Sequence, residues 1–178
     1  MKKNVKVISS ALAILAMALF PLLAGAQNGY EISSFEGRFS ITFPDKPDYS
    51  VEDIETDVGM LKMHTYIYEG SDDVAFLLAY IDYPQDLVEE SDADDLLEAA
   101  MEGAVGSWGF DMNSLKKETR WHNGNKGLYA KGSTDDTHTA YEVILAGNRL
   151  YQLAILQYNS PIDENELNTF FTSFKISD

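Results

Sequence analysis

The stretch that most limits what this chain can fold into runs from Thr137 to Asn159. It reads THTAYEVILA, then Gly147-Asn148, then RLYQLAILQYN. A Gly-Asn pair accepts the positive φ of a two-residue hairpin turn, so the flanking runs are predicted to pair antiparallel. With period two, Tyr141, Val143 and Leu145 fall on one face and Ile144 and Ala146 on the other. Across the turn, Tyr151, Leu153 and Ile155 share one face, and Leu150, Ala154 and Leu156 the opposite one. Strands that are apolar on both faces have to be covered on both. The hairpin therefore belongs in the middle of a sheet, not at its rim.

The preceding residues supply further strands. A lead-in through Tyr30 and Ile32 is followed by Phe39, Ile41 and Phe43, which alternate strictly with polar residues and stop at Pro44. The run from Tyr49 to Asp57 is rich in carboxylates, which suits an edge strand. Leu61 to Glu69 carries Leu61, Met63, Thr65 and Ile67 on one face and Lys62, His64, Tyr66 and Tyr68 on the other. Val74 to Tyr83 is nearly continuous in apolar residues, as a central strand is. Met112 to Trp121 and Gly127 to Ser133 read as two more strands, joined by a loop over His122 to Lys126.

Two amphipathic helices complete the pattern, with Pro84 to Glu90 read as a plain connection. Ser91 is the expected cap of the first, ahead of Asp92, Asp94 and Asp95 in a first turn where carboxylates favour the dipole. Leu97, Met101, Val105 and Trp108 make its apolar stripe. Gly103, Gly106 and Gly109 are expected to form a flat strip against the sheet. Ser160 is the expected cap of the second helix, with Pro161 at its first position and Asp163 completing a capping box. Its stripe is Leu167, Phe170, Phe171 and Phe174. Short links between strands force antiparallel neighbours. The expected class is α+β, an α/β/α sandwich with one central, mostly antiparallel sheet of seven or eight strands and two main helices.

Residues 1–26 combine a basic start, an apolar run from Val7 to Leu23 and a small-residue end at Ala24-Gly25-Ala26. This is the pattern of a cleaved secretory signal peptide. The remainder, 27–178, is expected to be one domain, free of the membrane after cleavage and periplasmic or secreted. It would hold 10 basic residues against 29 acidic ones, a net charge of −19. Such a balance repels nucleic acid and anionic lipid and favours a basic partner. The chain has no cysteine. Thiol nucleophiles, zinc-thiolate sites and a lipid-bearing N-terminal cysteine are thereby excluded.

The Phe39-Ser40-Ile41-Thr42-Phe43-Pro44 strand, the Gly147-Asn148-Arg149-Leu150-Tyr151-Gln152-Leu153 hairpin and the closing Phe170-Phe171-Thr172-Ser173-Phe174 helix resemble PsbP-like domains. That family includes the extrinsic photosystem II protein PsbP. It shares its fold with a Ran-binding nuclear-import factor and contains many exported bacterial proteins. The resemblance spans roughly Gly37 to Ile176. It implies an α/β/α sandwich and non-enzymatic accessory or binding roles, and it carries over no functional residue.

Chemistry is sparse in the sequence. Gly106-Ser107-Trp108-Gly109 lacks nucleophile-elbow spacing, and His64, His122 and His138 lie in three different elements. A hydrolase would need them to converge on a nucleophile in the fold. Asp135, Asp136 and His138 place two carboxylates and an imidazole near one turn, a candidate divalent-cation site, although turn chemistry explains the aspartates equally. His64, Tyr66 and Tyr68, with Tyr80 on the next strand, are the candidate partner-binding residues, since tyrosine offers contact area with a polar tip. The competing expectation is that a helix covers them. The leading function is a non-catalytic exported binding or accessory module for another protein, without a cofactor. A small-ligand or divalent-cation carrier is the first alternative, and a hydrolase the second.

Overall fold

The computed structural model describes residues 29–56 and 58–177. The expected leader, residues 1–26, lies outside them. In order the elements are β1 (Tyr30–Ser34), β2 (Phe39–Phe43), β3 (Asp48–Thr56), β4 (Gly59–Glu69) and β5 (Val74–Asp82). Then come α1 (Gln85–Glu90), α2 (Ala93–Ser107), a single 3-10 turn (Met112–Ser114), β6 (Lys116–His122) and β7 (Asn125–Ser133). The rest is β8 (Thr137–Ala146), β9 (Arg149–Tyr158), α3 (Glu164–Ser173) and β10 (Lys175–Ile176).

Seven strands form an antiparallel sheet in the order β3-β4-β5-β9-β8-β7-β6. The β8–β9 hairpin sits inside it, as its two apolar faces require. Gly147 adopts φ 61° at the first turn position, which a side chain would resist. The β6–β7 connection is tighter than expected. His122 pairs directly with Asn125, leaving only Asn123 and Gly124, at φ 50° and 84°, to reverse the chain.

The expectation of a single sheet is corrected. Phe39–Phe43 does not join the platform. It pairs with β1 on one side and β10 on the other in a separate three-stranded sheet. Alternation fixes which face of a strand is greasy, not which strand it hydrogen-bonds. Phe39, Ile41 and Phe43 are buried against one face of the large sheet, with Phe76, Leu78, Tyr151 and Leu153. Leu167, Phe170, Phe171 and Phe174 join the same cluster. On the opposite face, Leu97, Met101 and Val105 of α2 pack with Ile81, Tyr141, Val143 and Ala154.

The described residues hold three α-helices, since Gln85–Glu90, expected as a plain connection, forms a short helix with no buried residue beside the two main ones. Ser91 ends that helix instead of capping the next. The cap of α2 is Asp92, whose carboxylate accepts the Asp94 N–H at 2.7 Å. The cap of α3 is likewise Asp163 and not Ser160. Its Oδ1 accepts the N–H groups of Asn165 at 2.8 Å and Glu166 at 3.0 Å. Ile162 just before the cap and Leu167 just inside it share one buried cluster, the arrangement of a hydrophobic staple. The glycine strip is also corrected. Gly103 and Gly106 are exposed, and a Cβ on either would meet nothing within 4 Å.

Candidate functional site

Period two puts Lys62, His64, Tyr66 and Tyr68 on the β2-covered side of β4, and register decides what each one meets. His64 pairs with Tyr80 on β5 and Val51 on β3, while Tyr66 pairs with Leu78 and Tyr49. The His64 ring therefore stacks on Tyr80, with centroids 4.4 Å apart and planes 10° from parallel. Tyr49 and Tyr66 lie 4.6 Å apart. The Tyr49 hydroxyl is hydrogen-bonded to His64 Nδ1 at 2.8 Å; when the hydroxyl donates, the ring proton sits on Nε2. Tyr68 instead packs toward Phe76 at 6.2 Å, away from this group.

Three of the four expected partner-binding residues thus come together, but not as an open surface. Tyr80 is buried, and Phe39 of β2 covers Tyr66 and Tyr80 edge-on at 5.7 and 6.0 Å. The cover is a strand of the small sheet, not a helix. Burial pushes the Tyr66 phenol above its ordinary range, against the opposing pull of a Ser34 hydrogen bond. Burial pushes Tyr80 higher still. Both therefore act as neutral hydroxyls at any physiological pH.

A polar clasp lies beside this cluster, on residues the periodicity did not single out, with the Arg149 guanidinium 4.7 Å over the Tyr80 ring. Arg149 on β9 faces Asp82 on β5, and its Nε and Nη2 donate to the two carboxylate oxygens at 2.6 and 2.7 Å. That hydrogen bond is the main cause that holds Asp82 below the usual carboxylate range. The third guanidinium edge, Nη1, donates to the Glu36 carbonyl at 2.6 Å. The Tyr151 hydroxyl donates to the Gly37 carbonyl at 2.7 Å, and the Ser177 N–H to the Arg38 carbonyl at 2.9 Å. The β1–β2 turn is therefore fastened carbonyl by carbonyl to the large sheet and to the segment after β10. Arg38 sits at φ 52°, a conformation these bonds help to hold. At the head of the turn, Phe35 is 99% exposed.

Between β1 and β3 runs a groove of about 360 Å³. One wall is Tyr30, Glu31, Ile32 and Ser33, and the other is Lys46, Pro47, Tyr49 and Tyr66. Of these, Tyr30 is 43% and Tyr49 49% exposed.

The cation candidate does not assemble. The Asp136 carboxylate accepts hydrogen bonds from the Thr134 and Thr137 hydroxyls at 3.2 and 3.1 Å, as turn chemistry predicts. Among the described residues no group of three or more histidine, cysteine, aspartate or glutamate side chains is placed to hold a metal ion, and Asp135, Asp136 and His138 do not form one.

A polar cluster missed by sequence reasoning lies on β6–β8. Glu142 is fully buried, and its Oε1 is 2.7 Å from His122 Nε2. Arg120 Nη1 lies 3.5 Å from Oε2, which makes no hydrogen bond among the described residues. The Arg120 guanidinium sits 3.4 Å over the Tyr129 ring. Space is tight at Gly127, where a Cβ would lie 3.0 Å from Ile144 Cγ1, 3.2 Å from the Val143 carbonyl oxygen and 3.3 Å from Glu142 Oε1. Among the described residues, the hydrogen bonds of His64 and His122 go to a phenol and a carboxylate; neither imidazole is set against a serine or threonine hydroxyl.

No family model matches the chain, and no curated protein matches it.

Proposed function

We propose that this is a non-catalytic binding or accessory protein of the bacterial cell envelope. In this reading it is exported behind residues 1–26, and its body is a PsbP-like domain layered as an α/β/α sandwich. Two buried clusters on opposite faces of the seven-stranded sheet, one with α3 and the other with α2, support the layering.

The observation that carries the binding reading is Phe35. A fully exposed phenyl ring is ordinary on a mobile loop, but this one is presented on a turn held by Arg149, Tyr151 and Ser177. Enclosing such a ring in a partner's pocket is worth about 2–3 kcal/mol. A turn already fixed by the large sheet loses little freedom on binding, so less of that gain is offset. Rigid aromatic anchors of this kind dominate protein interfaces. The net charge of −16 selects the partner's character: it disfavours nucleic acid and anionic membrane and favours a basic protein surface.

A photo-crosslinking phenylalanine analogue at position 35, installed in the cells that make the protein, tests this. The expected result is one dominant protein adduct, absent when the analogue is placed at exposed Glu98 on α2. Adducts at neither position, or the same adducts at both, would refute the binding reading.

A further inference from the structure

Three of the residues lining the groove between β1 and β3 are tyrosines: Tyr30, Tyr49 and Tyr66. Its other side-chain polar groups are one carboxylate, Glu31, one ammonium, Lys46, and one hydroxyl, Ser33. Register builds the aromatic wall. Tyr49 of β3 pairs with Tyr66 of β4, and their rings lie 4.6 Å apart with planes 33° from parallel. Tyr66 thus backs Tyr49 on one side, while 49% of Tyr49 stays open. A chain of contacts fixes the open ring. The Tyr49 hydroxyl is bonded to His64 Nδ1 at 2.8 Å, and the His64 ring is stacked on buried Tyr80. Arg149, held by Asp82, lies over the far end of the stack at 4.7 Å from the Tyr80 ring. A ring already held in place loses little freedom when a ligand is laid on it.

The lining chemistry narrows the ligand. A wholly apolar molecule would strip water from Glu31, Lys46 and Ser33 and return no hydrogen bond. An anion would meet Lys46 but also Glu31, and a cation the reverse, so the lining favours neither sign. The chain's net charge of −16 disfavours an anion further. What fits is a neutral molecule with hydroxyls around its edge and C–H groups on its face. The face lies on the phenol ring, whose negative π cloud attracts polarised C–H groups. The edge exchanges hydrogen bonds with the carboxylate, the ammonium and the hydroxyl. A β-linked sugar of glucose configuration has this shape, because its ring hydroxyls are all equatorial and both ring faces are C–H. A volume of about 360 Å³ is at the small end for ligand sites, which suits a short saccharide segment.

We infer that the groove between β1 and β3 binds a neutral saccharide of glucose configuration, stacked on Tyr49 and hydrogen-bonded by Glu31, Lys46 and Ser33. This site is separate from the protein-binding turn, since Phe35 does not line the groove, and neither reading depends on the other.

The probes are cellotriose and chitotriose, with cellotriose whose primary hydroxyls are oxidised to carboxylates as the anionic counterpart. Each is titrated into the protein as its own cells produce it, and saturation-transfer NMR and calorimetry read binding. At least one neutral trimer should bind at millimolar concentration or below, and the oxidised trimer about tenfold more weakly or not at all. Tyr49→Phe keeps the ring and removes a hydroxyl already engaged by His64, so affinity should stay within about threefold. Tyr49→Ala should weaken binding by about tenfold or more. If Tyr49→Ala lowers the melting temperature, Tyr30→Ala on the opposite wall takes its place, with an expected loss of about fivefold. Sedimentation with insoluble cellulose and chitin separates the two sources of such a sugar. Retention assigns a polymer, and trimer binding without retention assigns a soluble oligosaccharide; both uphold the site. Binding of neither neutral trimer overturns the inference. So does equal binding of the oxidised trimer, or an affinity untouched by both Tyr49→Ala and Tyr30→Ala.

Discussion

Replacing Gly103 and Gly106 with alanine should make the protein more stable, and the amount follows from where α2 lies. Both glycines are in a 15-residue helix that is held to the sheet through Leu97, Met101 and Val105. An added Cβ at either meets nothing within 4 Å, so neither packing gain nor overpacking enters. What remains is backbone freedom in the unfolded chain, worth about 1 kcal/mol for an interior helical glycine. Gly106 stands in the last turn, where the helix frays, and about half that value applies. The sum is about 1.5 kcal/mol, or roughly 3–6 °C for a domain of this size. Urea titration should show a higher midpoint with an unchanged slope, because the surface exposed on unfolding is the same. Met101→Ala is the control with the opposite sign. It empties a fully buried site and should cost about 2–5 kcal/mol. A loss of stability in the glycine double variant would refute the reasoning, since it would mean that some part of the molecule packs against that side of α2.

Further outcomes follow from the caps and the charges. Asp163→Ala should cost about 1–2 kcal/mol in chemical denaturation, while Ser160→Ala should stay within about 0.5 kcal/mol, because the aspartate and not the serine holds the helix N–H groups. His122→Leu should cost about 3 kcal/mol, since it removes the one hydrogen bond that the buried Glu142 carboxylate makes among the described residues; the readout is the urea midpoint. Asp82 has a lowered pKa in the folded state, so its contribution is present above its unfolded pKa near 4 and is lost as pH falls through the folded value. Melting temperature against pH should therefore drop less steeply below about pH 4 in Asp82→Asn than in the parent.

How much of this was legible depended on whether the signal was local. The β8–β9 hairpin was readable because the turn dipeptide and both alternating runs lie within one stretch of chain. The helices were readable as stripes, but their starts were misplaced. Ser91-Asp92 and Ser160 to Asp163 each offer several residues able to cap, and only tertiary packing, such as Ile162 turning inward, selects one. The orientation of Gly103 and Gly106 was available and overlooked, since at 100° per residue both fall opposite the Leu97–Met101–Val105 stripe. The separate sheet was not available, because nothing near Phe39–Phe43 names β10 as its neighbour. Among candidate site residues, alternation alone grouped His64 with Tyr66, and the strand order then added Tyr80. The Arg149–Asp82 clamp depends on the β5–β9 register, and Glu142–His122 on the register of β6 through β8, so neither could be read in advance. Phe35 lay unremarked in the lead-in before Phe39, and its significance lies in the bonds that immobilise its neighbours.

The placement of β2 also sets an order of events during synthesis. Its three apolar side chains leave the ribosome early, yet the helix that shields them comes far later: the Thr42 N–H is bonded to the Ser173 hydroxyl across a separation of 131 residues. Until that later segment exists, Phe39, Ile41 and Phe43 have no permanent shelter, and a strand in that condition is prone to bind whatever hydrophobic surface it meets. A nascent chain of this kind is therefore open to off-pathway contacts until its last helix has been made.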